Sequence, residues 1–453
     1  MALSPAAKAA LWTVSGLLVL VLAVPATLLL INLHDEPLNP QVQAVLDRKY
    51  DGVPPAENLF FALLALDSRD PADINAQGRR LYAEYLREHA ASGSNFRFRF
   101  KQDAFLSRLP FSGSPQLLCG SAKPRDDCFA RALGDRAELE ELIEANRLLL
   151  DRYKALQQYR RLQNPVSLSI NSLILQWQPF RNAKRLWLTD VALQIRAGKV
   201  DAGIDALQGD IAFTRRMLAE PDLILIDKMV LASSLRDSLQ FLSGLVRDVP
   251  LSDAQYRAVA ALLPPLTEDE RSLAPVFVRE FTGFANFLGT LNDPNSAAFP
   301  PSIVGRLQSK FLKYNATVNL KWSYVEKANA QSRGTCDQLP PAEFSPKGRL
   351  ALPFYDYFYN PIGKVLVVTS VGSLGDFLEG MCDLEGMRRI VVLQTMLHEA
   401  KVTDDQVPAF LQRSGPDYGN PYTGLPLEWR PEDRTLTFKP LAPRDTNYFP
   451  WAI

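Results

Sequence analysis

Residues 9–31 form an unbroken run of 23 uncharged, mostly apolar residues. At about 1.5 Å of rise per residue, a helix of this length reaches roughly 35 Å, enough to cross the hydrocarbon core of a bilayer. Trp12 lies near one end, where an amphipathic ring favours the membrane–water interface. Pro25 is tolerated where neighbouring groups re-satisfy the freed backbone. The competing reading is a cleaved signal peptide cut near Ala26. Thr27 to Ile31 extend the run past that point, beyond the roughly 7–15 residues of a typical h-region, so residues 9–31 are read as a membrane anchor. Lys8 and the α-amino group precede the span, and His34, Asp35 and Glu36 follow it. The positive-inside rule then keeps residues 1–8 in the cytoplasm and sends the bulk of the chain to the other side. Ile362 to Leu374 is also apolar, but it contains Lys364 and is too short to qualify as a second span.

Beyond the anchor the composition is that of an ordinary globular body. Apolar residues make up 47 % and charged residues 22 % of the chain, which excludes wholesale disorder. The 50 Lys+Arg balance 50 Asp+Glu, which argues against a nucleic-acid partner. The 33 prolines imply many element breaks. Four cysteines suit an oxidising compartment, and the shorter loops favour Cys119–Cys128 with Cys336–Cys382. A zinc site is the alternative, but there is no C-x-x-C, and the only histidines are His34, His89 and His398.

Pattern divides the chain into segments. Residues 32–124 read as a juxtamembrane region of short helices and one strand. Asn58 to Leu66 is strongly apolar, and Asn75 to Ala91 is an amphipathic helix with Leu81, Tyr85 and His89 on one side. In Phe96-Arg97-Phe98-Arg99-Phe100-Lys101 the alternation predicts a strand, either a charge-guarded edge or an anion contact. Residues 125–331 read as a helical domain. A long helix is expected from about Asp126 to Gln163, with Leu139, Leu142, Asn146, Leu149, Tyr153 and Leu156 forming a seam. Residues 181–219 read as a helix hairpin turning at Ala197-Gly198-Lys199, and an almost wholly apolar helix follows Pro221. Ser252 and Thr267 head two further helices, the second with a capping box. Residues 332–400 combine a Pro- and aromatic-rich loop with the last helices. Residues 401–453 form a turn-rich tail, in which Leu425 to Arg430 and Thr435 to Lys439 read as a β-hairpin. The expected fold is mainly α, with an N-terminal transmembrane helix, a bundle with repeat-like helix hairpins and a small C-terminal β-hairpin.

Three stretches carry a family resemblance. They are Asn58-Leu-Phe-Phe-Ala-Leu-Leu-Ala-Leu, Asn360-Pro361-Ile362-Gly363-Lys364, and Arg388-Arg389 followed by Asn420-Pro421-Tyr422-Thr423-Gly424-Leu425-Pro426-Leu427. Together they resemble a family of single-pass bacterial envelope proteins. The tail Asp417-Tyr418-Gly419-Asn420-Pro421-Tyr422 is also similar to the end of the major pseudopilin of type II secretion, without that protein's Pro and Trp, so its calcium site is not carried over. The resemblance implies a bacterial inner membrane and a periplasmic body; it implies no activity.

Catalytic signatures are missing from the sequence: there is no G-x-S-x-G, H-E-x-x-H, Walker A loop or G-x-G-x-x-G. No cofactor is expected. Asp227, Lys228, Arg236 and Asp237 lie in the most apolar helix. They read as a buried ion-pair network holding helices in register, with a perturbed acid–base pair as the alternative. Phe354, Tyr355, Tyr357 and Tyr359 either cover an open side of the bundle or form a shelf for a peptide or glycan. The expected function is a membrane-anchored periplasmic binding or scaffold protein, touching the bilayer through residues 9–31 and an envelope protein or glycan elsewhere. The alternative is an envelope hydrolase using carboxylates dispersed in sequence.

Overall fold

Local signals set the helix boundaries of the body. The computed structural model describes residues 5–70, 73–93, 95, 98–120, 128–293, 310–339, 353–371, 374–441 and 451–452. The helices Gln178–Arg196 and Val200–Leu218 form the expected hairpin, with Gly198 taking the positive φ of 86° that the turn needs. Complete capping boxes open Asp253–Ala261, from Ser252 and Gln255, and Glu268–Arg271, from Thr267 and Glu270. The apolar helix Leu225–Asp248 lies at the centre. It packs against Cys128–Gly134, Gln178–Arg196, Val200–Leu218, Ala274–Asn292 and Leu374–Glu399. Contact on so many sides buries polar positions such as Ser234 and Ser238 along with its leucines. A single apolar core runs from Val42 to Phe438, shared by every segment of the body.

The long helix expected from about 126 to 163 is instead three, Cys128–Gly134, Arg136–Ala145 and Arg147–Leu156; residues 126 and 127 lie outside the described residues. Asn146, the polar position of the seam, is a break point. Its side chain donates to the carbonyls of Ser112 (2.9 Å) and Leu142 (2.8 Å), and it accepts from the Ser112 amide (3.0 Å). Serving a neighbouring loop in this way replaces continuation of the helix.

Residues 157–177 cross the interior almost without regular structure, yet Leu162, Val166, Leu168, Leu173 and Leu175 are buried. Such a segment needs partners for its backbone groups. Asn58, 1 % exposed, supplies two of them: its side chain donates to the Gln163 carbonyl (2.8 Å) and accepts from the Gln163 amide (3.1 Å). The same side-chain oxygen caps the wholly buried helix Leu59–Leu64 by accepting from the Phe60 amide (3.1 Å). Arg279, 1 % exposed, donates to the carbonyls of Asn164 (2.7 Å) and Val166 (2.9 Å).

The aromatic–basic alternation does not make a strand: Phe96 and Arg97 lie outside the described residues, and 98–101 are irregular. Phe98 and Phe100 instead join a ring cluster with Tyr85, His89 and Phe105, while Arg99 donates to Asn171 Oδ1 (2.6 Å). Burial of the rings therefore follows the alternation without strand pairing. The C-terminal hairpin does form. Strands β1 (Glu428–Arg430) and β2 (Thr435–Thr437) pair antiparallel with Trp429 opposite Leu436, and β3 (Trp451–Ala452) adds to β2. Both expected disulfides are present, Cys119–Cys128 and Cys336–Cys382, with Cα atoms 5.0 and 5.7 Å apart.

The N-terminal helix runs Pro5–Ile31. Trp12, Val21, Leu22, Val24 and Leu30 are exposed along it, so this apolar surface is not covered by the rest of the chain. By length and composition the stretch Pro361–Glu399, of which 372 and 373 lie outside the described residues, is apolar enough to cross a membrane, whereas residues 362–374 alone are too short. Its second half belongs to the body: Met381, Cys382, Ile390 and Val391 lie in the core, and Glu385 and Arg388 form a buried pair.

Replacing Asn58 by Ala strips partners from the backbone at Phe60 and Gln163, so a loss of about 3 kcal/mol is expected. Urea unfolding of the full chain measures it, with half-buried Asn171→Ala as the comparison.

Candidate functional site

A cleft of about 610 Å³ is formed where several helices meet the irregular segment. Leu168, Ser169, Ser172 and Ile174 come from that segment, and Ile224, Leu225, Ile226 and Met229 from the start of the central helix. Phe277, Phe281 and Phe284 line it from Ala274–Asn292, Lys321 and Val325 from Tyr314–Arg333. Ser370 and Phe377 close one side. Its size is that of a small-molecule site, and its walls are mainly apolar.

Two ionisable side chains interrupt those walls. Lys321, 6 % exposed, donates to the Ser370 carbonyl (3.1 Å) and Oγ (3.0 Å) and lies 5.3 Å from the Phe284 ring centre. Burial pushes its ammonium down to about 8, against the favourable charge of Glu280. Glu280 accepts from the Leu225 amide (2.8 Å) at the first turn of the central helix, and burial raises its carboxyl. The two feel each other's charge, and both line the cleft.

The residues expected to form one ion-pair network are separated. Asp227 is fully buried and accepts from Trp177 Nε1 (3.0 Å), with its other side toward Asn164. Burial drives its carboxyl up to about 7. Lys228 turns the opposite way, donating to the carbonyls of Leu218 (2.7 Å) and Asp269 (2.9 Å), and burial lowers it to about 7. Adjacent positions on a helix point about 100° apart, so Asp227 and Lys228 have different neighbours. Arg236 donates to Ser233 Oγ (3.1 Å). Asp237 is buried near Arg185, Arg236, Lys184 and Arg181, and burial raises its carboxyl to about 6.

The buried ion pair is formed instead by Lys184 and Asp210, one on each helix of the hairpin. Ser238 of the central helix accepts from Lys184 (2.8 Å), and Tyr153 donates to Asp210 (2.7 Å). Four helices are thus tied by one sealed polar cluster. Sequence spacing held a signal for it: Lys184 lies in the row Phe180, Ala183, Trp187, Leu188 and Val191, and Asp210 in the row Ile204, Leu207, Ile211 and Leu218. Lys321 likewise falls between Val318 and Val325. A charge on an apolar helix face is the common mark of all three.

Phe354 opens a short 3-10 turn, Phe354–Phe358; within it Tyr355 is 68 % exposed and Tyr357 half-buried. Tyr359 follows the turn, half-buried, and donates to the His34 carbonyl (3.4 Å). The aromatics therefore border the end of the N-terminal helix. A separate, polar cleft of about 390 Å³ holds Asp337, Glu385 and Asp417. Glu385 is clamped by Arg388 (2.7 Å) and Arg389 (3.0 Å), which hold its carboxyl below the usual range and remove it as a proton donor. Among the described residues no group of three or more His, Cys, Asp or Glu could hold a metal ion. No protein-family model, curated protein or solved structure matches the chain.

Between about pH 4 and 7 the folded chain holds a proton on Asp227 that the unfolded chain has released. Stability therefore falls as pH rises through that window. Asp227→Asn is expected to gain on the parent chain from pH 4 to 7, with a constant difference above it. Urea midpoints measured across pH 4–8 check the sign.

Proposed function

We propose that this chain is a membrane-anchored envelope protein that binds an elongated apolar ligand, with the N-terminus in the cytoplasm and the disulfide-bonded body in the bacterial periplasm. The cleft carries the reading: it combines long apolar walls with the buried Lys321 and the half-buried Glu280. A ligand with one greasy chain and one polar end fits that arrangement, the chain against Phe277, Phe281 and Ile226 and an acidic head at Lys321. The uncovered apolar surface of Pro5–Ile31 supports the anchor, and the two cystines support the oxidising side. The charge order across residues 8–36 supports the direction of insertion.

A binding role is preferred to the hydrolase reading because, among the described residues, Glu280 is the one carboxylate lining this cleft, and its oxygen already serves the Leu225 amide. Glycoside hydrolysis ordinarily uses two carboxylates about 5–10 Å apart.

The ligand test uses the full chain in lipid nanodiscs and a photoactivatable palmitate. Adducts are expected on 224–229 and 277–284. Lys321→Met should reduce them about tenfold, in line with loss of a charge-assisted hydrogen bond, while leaving labelling by the matching long-chain alcohol unchanged. Capture of the acid should also fall as pH rises through about 8, where Lys321 loses its proton. Adducts confined to Pro5–Ile31, or equal losses for acid and alcohol, contradict the proposed site.

Placement is tested separately. Alkaline phosphatase fused after Ile453 should be active, and a fluorescent protein that folds only in the cytosol should be dark; the reverse pattern overturns the topology.

A further inference from the structure

The end of the N-terminal helix is fixed to the body by buried hydrogen bonds. Asn32, 1 % exposed, donates to the Phe358 carbonyl (2.8 Å) and accepts from the Asn360 amide (2.8 Å). Asn360, also 1 % exposed, has a left-handed φ of 53° and reaches onward, accepting from the Lys313 amide (2.9 Å) and donating to Thr317 Oγ1 (2.9 Å). Gly363 sits against the same Thr317 so closely that a Cβ would collide with its hydroxyl. Asp35 accepts from the amides of Asn315 (2.8 Å) and Ala316 (3.0 Å), which begin the Tyr314–Arg333 helix. Glu36 accepts from Asn319 Nδ2 (2.8 Å), and Asn319 in turn accepts from the Asn39 amide (2.9 Å). The connection is a socket, with no loose tether between helix and body.

A rigid socket determines which body surface lies beside the helix exit. That surface is apolar and exposed: Tyr355 at 68 %, Val365 at 50 % and Phe358 at 42 %. Val365 lies five residues into the helical direction from Asn360, about 8 Å away along the axis. In the helix Pro361–Val371 the one charged residue is Lys364, whose ammonium turns back to the Asp356 carbonyl. The two acids nearest the exit, Asp35 and Glu36, are engaged by amide donors of the body.

We propose that this surface, the Phe354–Phe358 turn with the outer side of Pro361–Val371, rests in the headgroup layer of the bilayer that holds Pro5–Ile31. The proposal depends on the anchor reading above. Its support is continuity with the helix exit through Asn32 and Asn360, and the amphipathic tyrosine and apolar side chains characteristic of membrane interfaces. The aromatic shelf therefore has lipid as its partner, in place of peptide or glycan. Ser370, near the far end of the same helix, lines the apolar cleft, which places one wall of that cleft close to the lipid surface.

All four native cysteines are paired, so one introduced cysteine is a unique attachment point for a nitroxide. The full chain is reconstituted in phosphatidylcholine–phosphatidylglycerol vesicles with a label at Tyr355→Cys, Val365→Cys, Leu133→Cys, Leu425→Cys or Val21→Cys. Leu133 and Leu425 are exposed apolar positions outside the proposed surface. Collision rates with bilayer-soluble oxygen and a water-soluble nickel chelate report depth. The expected oxygen-to-nickel ratio at 355 and 365 is several-fold above that at 133 and 425, and below that at 21. Water-like values at 355 and 365 with a deep Val21 overturn the surface contact and leave the anchor standing. A water-like Val21 overturns both. Equal ratios at 355, 365, 133 and 425 also overturn the surface contact.

Discussion

Buried backbone without regular structure must find hydrogen-bond partners, and the architecture of this protein depends on how it does so. Residues 157–177 pass through the interior under the helix Ala274–Asn292, and Asn58 and Arg279 satisfy their carbonyls and amides. Asn146 does the same for the loop at Ser112, and at the helix exit the Asn32 side chain serves the Phe358 carbonyl and the Asn360 amide while the Asn360 side chain serves the Lys313 amide. In the tail, Asn420 donates from its side chain to the Lys439 carbonyl (3.0 Å) and accepts from the Tyr422 amide (2.9 Å). A short amide side chain suits this task because it donates and accepts from one rigid group. The stretches beginning at Asn58, Asn360 and Asn420 each open on such a buried asparagine. Their shared property in this chain is architectural.

The cleft follows from that arrangement. One wall, Leu168 to Ile174, belongs to the pinned irregular segment, and the opposite wall is the start of the central helix. Glu280, on the helix Ala274–Asn292, ties that helix to the start of the central one by accepting from the Leu225 amide. An open apolar space within a body of helices is costly to maintain unless rigid partners keep the walls apart. The polar supports of segment 157–177 meet that requirement, and the Lys184–Asp210 cluster holds the neighbouring helices in register.

Much of the helical framework was legible in the sequence. The 178–218 hairpin, the central helix, the cap at Ser252 and the capping box at Thr267, the C-terminal hairpin and the two cystines all rest on local patterns or short chain separations. What was misjudged depended on distant partners. Continuous apolar spacing from 139 to 156 suggested one helix, but Ser112 draws Asn146 out of the run. Asp227 and Lys228 are adjacent in sequence and diverge in space, whereas Lys184 and Asp210, 26 residues apart, meet.

The amino-acid sequence by itself determined the apolar N-terminal helix, the mainly helical class and the identity of the buried faces, because periodicity and capping act over one or two turns. Tertiary structure alone decided where the helix exit is clamped, which charges meet in the core, and that Lys321 and Glu280 border one cleft. Those outcomes require segments far apart in the chain to satisfy one another's polar groups, and no local pattern encodes which partner will be near.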